Sequence, residues 1–88
     1  MTTYVDELRN YQELIGARLP GLWCHMVTDG SLEELHEFAA LIGLSPRRFQ
    51  DHPRHPHYDL NPTSRALAVA CGAVEVSTRE LARILKTN

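Results

Sequence analysis

Residues 51–59 bring together several side chains that are capable of chemistry. The segment contains His52, His55 and His57, three of the five histidines of the chain, and it ends at Asp59. In an extended backbone His55, His57 and Asp59 project to one side, because alternate residues face the same way. Imidazole nitrogens and a carboxylate are ligands that Zn²⁺ and similar ions accept. The spacing therefore indicates a divalent-metal site, although a solvent-exposed histidine-rich loop, held extended by its prolines, explains the same composition.

A complete metal site would also need histidines from other parts of the chain. His25 lies in an apolar run, where the simpler interpretation is a buried ring bonded to a neighbouring backbone group, and His36 lies at the edge of a helical apolar face. In a compact α/β domain such residues can meet a loop histidine. If they do, we expect His36, His57 and Asp59 to ligate a metal such as Zn²⁺. Without a metal, His57 and Asp59 are the expected general acid and base, because a carboxylate holds an imidazole in one tautomer.

Two arginines are candidates for binding an anionic ligand. Arg65 falls in the first turn of a predicted helix, where unpaired N–H groups and the helix dipole disfavour a cation unless an anion compensates. A ligand phosphate or carboxylate would supply that anion, and so would a salt bridge to Asp59. Arg48, beside Phe49, could contact a phosphate or a base by guanidinium pairing and ring stacking. The alternative is that Arg48 lies in a solvated loop and that the ring of Phe49 packs into the core.

The elements that must position these groups alternate between strand and helix. Short β-favouring runs predict strands, which fall at residues 2–5, 22–28, 48–50 and 73–76, the last one buried. N-capping residues followed by helical spacing predict helices, which fall at residues 31–42, 61–72 and from residue 77 onwards. Residues 6–21 are expected to be irregular.

This order predicts an α/β fold with a small mixed sheet of three or four short strands and about three helices. One domain spanning residues 1–88 is expected, because two separate cores would each be too small to bury enough apolar surface. The middle helix is small or apolar on most sides, so we expect it to be central and enclosed. The side chains expected to be buried are Leu35, Phe38, Ile42, Leu67, Val69, Leu81 and Leu85.

Charge and cysteine content restrict the class of partner. A net charge of -2 gives no overall attraction for nucleic acid, so any anion must bind locally. No apolar run approaches the roughly 20 residues needed to cross a bilayer, and no membrane role is expected. Cys24 and Cys71 lie in apolar contexts, so we expect two reduced core thiols and a cytoplasmic protein.

Nine short segments of the chain together resemble a known family. They are Tyr4-Val5-Asp6, Cys24-His25-Met26, Asp29, Glu34-Leu35-His36, Ile42-Gly43-Leu44, Phe49-Gln50, His57-Tyr58-Asp59-Leu60, Arg65-Ala66-Leu67-Ala68 and Gly72-Ala73-Val74-Glu75. In this order they resemble the small bacterial and phage proteins grouped as domain of unknown function 4031, over nearly the whole chain. The resemblance implies no particular activity. It implies that the polar motif positions are His25, His36, His57, Asp59 and Arg65, and it leaves His52 and His55 outside the motif.

Two classes of function are consistent with these residues. The first is a small ligand-binding or hydrolytic domain whose pocket holds a divalent metal or a phosphate-bearing molecule such as a nucleotide. Its expected catalytic residues are His57 and Asp59, and its expected ligand-binding residues are His25, Arg48, Tyr58 and Arg65. The second is a non-catalytic accessory protein that acts through protein contacts or assembles into a homo-oligomer, with the same polar residues forming a structural hydrogen-bond network. Activity with and without metal separates the two.

Overall fold

The computed structural model describes residues 2–10 and 21–87, which form a five-stranded mixed sheet and three α-helices. The strands are β1 (Thr3–Val5), β2 (Cys24–Thr28), β3 (Phe49–Gln50), β4 (His57–Leu60) and β5 (Val74–Glu75). The helices are α1 (Leu32–Leu41), α2 (Pro62–Ala70) and α3 (Thr78–Thr87), and a 3-10 turn covers Pro46–Arg48. The predicted α/β class is confirmed, with five strands rather than three or four.

The two longest strands lie side by side within the sheet, whose order is β3-β4-β2-β1-β5. Strands β1 and β5 are parallel, and the other neighbours are antiparallel. In the register of β2 against β4, His25 lies opposite Asp59 and Met26 lies opposite Tyr58. Because successive side chains of a strand point to opposite faces, these two pairs occupy different sides of the sheet. We call the side with Met26 and Tyr58 the core face and the side with His25 and Asp59 the histidine face.

The core face carries the buried apolar cluster. Helix α1 contributes Leu35 and Ala39 to it, and α2 contributes Ala68. The cluster members are Val5, Cys24, Met26, Leu35, Ala39, Tyr58, Leu60, Ala68 and Ala73. Helix α3 lies on the other side, since Leu81 and Leu85 line a cavity together with His25. The sheet is therefore covered by helices on both faces.

Local capping signals explain where the first two helices begin. The Ser31 hydroxyl accepts a hydrogen bond from the Glu34 N–H at 3.2 Å, and the Glu34 carboxylate accepts one from the Ser31 N–H at 3.0 Å. This is the predicted capping box, and it satisfies two backbone donors that the helix leaves unpaired. Helix α2 begins after Asn61, whose side-chain oxygen accepts from the Ser64 N–H at 2.8 Å. Both predicted starts are confirmed.

The strand β4 lies where the sequence pattern predicts only a proline-stiffened loop. Within it Tyr58 and Leu60 are buried, whereas His57 and Asp59 are half-buried. This two-residue alternation is the signature of a strand with one face on the core. It spans only four residues after a proline-rich segment, so the pattern is too short to be distinguished from a loop by periodicity.

Helix α2 is a surface helix, so the prediction that it is central and enclosed is wrong. Leu67 is 47% exposed, Cys71 at the end of the helix is also exposed, and only Ala68 is buried within α2. Exposed alanines cost little, so an alanine-rich composition does not by itself require burial. The strand β5 is likewise an exposed edge strand, with Val74 at 44% exposure, rather than a buried one.

The other predicted core side chains fall on the expected sides of their helices. Leu35 and Leu81 are buried, and Phe38, Ile42, Val69 and Leu85 are half-buried. The predicted irregular segment falls mainly on residues 11–20, which lie outside the described residues. Within residues 2–10 and 21–87 no helix is both long enough and apolar enough to span a bilayer.

Candidate metal centre

Three side chains with metal-binding groups meet in the middle of the histidine face. His25 comes from β2, and His57 and Asp59 come from β4. One ligand atom from each residue lies within 4.8 Å of the other two. The His57 Nε2 is 3.4 Å from Asp59 Oδ1, and the rings of His25 and His57 meet edge to face with centroids 4.9 Å apart. The register explains the cluster, because His25 lies directly opposite Asp59 and His57 is two residues away on the same face.

The spacing of these atoms is close to what a small metal ion needs. Two ligand atoms that each lie about 2.0–2.1 Å from a tetrahedral zinc are roughly 3.4 Å apart. The His57 Nε2 and Asp59 Oδ1 atoms already have this separation. The limit of 4.8 Å for the whole set is wider, so its ligand atoms would have to move closer together to bind one ion. Two imidazoles and one carboxylate also leave a coordination position for water or a ligand.

Asp6, which directly follows β1, orients His25 from behind. It is completely buried. Its Oδ1 accepts a hydrogen bond from the His25 backbone N–H at 2.6 Å, and its Oδ2 is 2.8 Å from His25 Nδ1. The Thr78 hydroxyl donates to the same Oδ2 at 3.1 Å. Because a carboxylate only accepts, Nδ1 of His25 is the donor in this contact, which leaves Nε2 as the ring atom that can act as a ligand. This is the arrangement in which a carboxylate supports a metal-ligating histidine.

The protonation of His57 is set by two acceptors. Its Nδ1 donates to the backbone carbonyl oxygen of His55 at 2.9 Å, so Nε2 is the atom that faces Asp59. Burial disfavours the charged ring, but the hydrogen bonds to Asp59 and to the His55 carbonyl, with the negative charges of Asp59 and Asp6, outweigh it. The pKa of His57 is therefore raised above its ordinary value. A metal ion at this site would have to compete with a proton for His57.

Two clefts open onto the cluster and share His57. One has a volume of about 190 Å³ and lies under α3, where Val27, Leu81 and Leu85 give it mostly apolar walls. The other has a volume of about 420 Å³ and is lined by His57 and Asp59 together with residues 50–53. A ligand can therefore reach the two β4 residues from the open side of the sheet while the far side of the cluster remains covered by α3.

His36 lies on the opposite side of the sheet, so the predicted set of His36, His57 and Asp59 is not assembled. Its Nδ1 is hydrogen-bonded to the Tyr58 hydroxyl at 2.6 Å, and its ring packs against Phe49. Tyr58 lies between His57 and Asp59 in β4 and therefore points to the core face, where α1 packs. Burial raises the pKa of Tyr58. His25 takes the place expected for His36.

The two arginines are engaged away from the cluster. Arg65 Nη1 is 2.9 Å from Glu75 Oε1, and Arg65 Nε donates to the Asp6 carbonyl oxygen at 2.8 Å. Its anionic partner is therefore the carboxylate of the edge strand β5, and not Asp59 as the sequence suggests. The Arg48 guanidinium lies 4.8 Å from the centroid of the Trp23 ring. Glu75 lies 10 residues from Arg65 along the chain, and Trp23 lies far from Arg48, so the spacing within one helix or loop does not reveal either contact.

Sequence analysis does not identify two of the residues beside the cluster as functional candidates. Asp6 is an acidic residue after a short strand, and Thr78 is the first residue of α3; neither residue type is unusual at such a position. The available signal for Asp6 is its place in the segment Tyr4-Val5-Asp6, which resembles a family motif. Burial of an acidic side chain usually means that it has a specific partner, but the burial itself is visible only in the folded chain.

The fold and the cluster define a small mixed α/β domain with a two-histidine, one-carboxylate site on one face of its sheet. A family model described as Protein of unknown function (DUF4031) matches residues 3–88. The chain therefore belongs to the DUF4031 family, as its motifs indicate. Comparisons with curated proteins and with solved structures give no match.

Proposed function

We propose that this protein binds one divalent transition-metal ion through His25, His57 and Asp59, and that the ion activates a water molecule for hydrolysis of a small ligand. Zn²⁺ is the preferred ion, because two imidazoles, one carboxylate and an open position match its catalytic sites. The observation that carries the proposal is the convergence of these three groups within 4.8 Å on adjacent strands. A water bound to such an ion loses a proton near neutral pH and becomes a nucleophile.

The surroundings of the cluster support a ligating role for His25. With Asp6 as acceptor for Nδ1–H, the ring is fixed in orientation and its Nε2 becomes a better electron donor. Ring rotation would break this contact, so the orientation of the His25 ring is fixed in the absence of a metal ion. The same ligand set also suits Fe²⁺, and the identity of the ion is therefore an outcome of the test.

The test is metal binding by protein purified without a polyhistidine tag. Elemental analysis and calorimetric titration with Zn²⁺, Fe²⁺ and Mn²⁺ should give one ion per chain. His57→Ala and Asp59→Ala should weaken binding by about a hundredfold or more, since each removes one of three ligands. The matched control is His36→Ala, which removes an exposed histidine on the other side of the sheet and should bind as the wild type does. Equal binding by wild type and His57→Ala would contradict the proposal.

A phosphate-bearing ligand or nucleotide is a less well supported occupant of the same site. The sequence suggests Arg65 and Arg48 as its anchors, but these side chains contact Glu75 and Trp23 instead. Thermal-shift measurements with nucleotides and inorganic phosphate, each with and without Zn²⁺, test this alternative directly.

The competing class is a non-catalytic accessory protein that binds a partner or itself. The observation in its favour is the exposure of Leu67 on α2 and of Val74 on the edge strand β5. Exposed apolar side chains are common on monomeric proteins, so the convergent cluster is the more specific feature. Sedimentation analysis at several concentrations tests self-association. A reducing, cytoplasmic setting is proposed from the thiols of Cys24 and Cys71, both of which are free.

A further inference from the structure

We infer that the ligand of this site is a neutral molecule whose reactive polar group is attached to a short aliphatic chain, such as a short-chain acyl ester or amide, and not a phosphate ester. The inference rests on the proposed metal site. It concerns what the two clefts beside that site can accept.

The cleft under α3 supplies a pocket for an aliphatic group. Helix α3 presents Leu81, Ala82 and Leu85 to it, and Val27 of β2 forms part of the opposite wall together with His25. Leu81 is almost completely buried, so this wall is anchored in the fold. An apolar group placed there would leave water while its attached polar group lies at the two histidines. Each buried methylene improves binding by about fourfold.

The size of this cleft limits the group that fits. Its volume is about 190 Å³, and one water molecule or a methylene of similar size takes roughly 30 Å³ of that space. A chain of about six carbons therefore fills it, and longer chains do not fit. A nucleoside or an aromatic drug-sized molecule needs roughly 300 Å³ or more, so such ligands would have to remain largely outside the cleft.

The charges around the cluster disfavour a phosphate. Among residues 2–10 and 21–87, no arginine or lysine lines either of the two clefts, whereas Asp51 and Asp59 both line the larger one. These carboxylates repel a dianionic phosphate, and the described residues of the clefts offer no permanently positive side chain to offset that repulsion beside the metal ion. An ester or amide carbonyl carries no net charge and avoids that repulsion. Arg65, the predicted anion anchor, is directed to Glu75 instead.

The reaction for such a ligand is a simple hydrolysis. The oxygen of the activated water forms a bond to the carbonyl carbon, and the bond from that carbon to the alcohol oxygen or amine nitrogen breaks. The leaving group takes up a proton that the water releases, so a carboxylic acid and an alcohol or amine are formed with no other reactant.

The experiment uses straight-chain hydroxamic acids from two to seven carbons as probes, because their head group binds metal and their tail varies alone. Titrated into the Zn²⁺-loaded protein, they should bind about fourfold tighter for each methylene until the cleft is filled. Inorganic phosphate should bind at least tenfold more weakly than the best hydroxamate. The variant Ala82→Leu fills the cleft and should abolish the chain-length dependence without loss of zinc.

The matched control is Ala40→Leu, which makes the same change at an exposed alanine of α1 that lines a cleft on the core face. It should leave the hydroxamate series unchanged. If zinc fails to bind to the wild type, the proposed function is overturned. If zinc binds but affinity is independent of chain length, or phosphate binds more tightly than every hydroxamate, the metal site stands and the inference about its ligand is overturned.

Discussion

The Asp6 carboxylate accepts hydrogen bonds from both the backbone N–H and the ring Nδ1 of His25, at 2.6 and 2.8 Å. The contact joins the residue after β1 to the middle of the sheet. Asp6 is fully buried, and the hydroxyl of Thr78 at the start of α3 is the third donor to its carboxylate. One carboxylate therefore orients a candidate metal ligand and also fixes the start of the helix that covers it.

Replacing Asp6 by alanine should damage both stability and metal binding. The change leaves the His25 backbone N–H, His25 Nδ1 and the Thr78 hydroxyl without their acceptor, and we expect a loss of about 3 kcal/mol in the free energy of unfolding. Where the variant folds, zinc affinity should fall by about 10- to 100-fold. Urea denaturation and calorimetry measure the two effects. Thr78→Val, which removes one donor only, should cost about 1 kcal/mol; an Asp6→Ala variant as stable as that control would contradict this prediction.

The metal-free protein should lose stability as the pH rises through the pKa of His57. Because the folded state raises that pKa, it binds the proton more tightly than the unfolded chain does. The resulting stabilisation is fully present below the unfolded value of about 6.5 and is lost as the pH rises through the raised folded value. Denaturation midpoints at a series of pH values should show a steeper decline for wild type than for His57→Gln. An NMR titration that gave His57 a pKa below 6.5 in the folded protein would contradict the predicted loss of stability with rising pH.

Zinc should stabilise the folded protein in a way that a chelator reverses. An ion that binds only the folded state at a hundred times its Kd adds about 2.7 kcal/mol to the free energy of unfolding. The wild type should therefore show a higher Tm with zinc, and EDTA should return it to the metal-free value. Asp59→Ala should show no increase, and His36→Ala should respond as the wild type does. A similar increase in Asp59→Ala would mean that zinc acts elsewhere on the chain.

The hydrogen bond on the core face should be separable from the metal site. Tyr58→Phe removes the hydroxyl bonded to His36 while it keeps the buried ring, so we expect a loss of about 1 kcal/mol in stability. Zinc affinity should remain within a factor of about two, because His57 and Asp59 point to the other face. Denaturation and calorimetry on the same sample provide both numbers. A large loss of zinc binding in Tyr58→Phe would show that the two faces are coupled.

The elements that sequence analysis predicted are those with local chemical signals. Ser31 with Glu34, and Asn61 before a proline, define helix starts through contacts three residues apart. The strand β4 has no comparable signal, since its four residues alternate only briefly. The exposure of Leu67 is also not predictable from the sequence, because composition does not show which side of an alanine-rich helix packs against the sheet.

The candidate site was predictable in part for the same reason. His57 and Asp59 are two residues apart, so a shared face follows from strand geometry alone. Whether His25 or His36 joins them depends on the pairing of β2 with β4, which is a long-range property. The contact between Asp6 and His25 likewise depends on how β1 lies against β2.

The pairing of His25 with Asp59 has a consequence for how the chain folds. The strands β2 and β4 are neighbours in the sheet, but α1, the 3-10 turn and β3 lie between them along the chain. Bringing such distant segments together costs loop-closure entropy before any contact compensates for it, so this pairing belongs to the slower steps of folding. The unfolded chain thus does not hold His25, His57 and Asp59 together. The cluster is assembled only as the native topology is completed, so an ion that binds there would act on the lifetime of the folded state rather than on the route by which it forms.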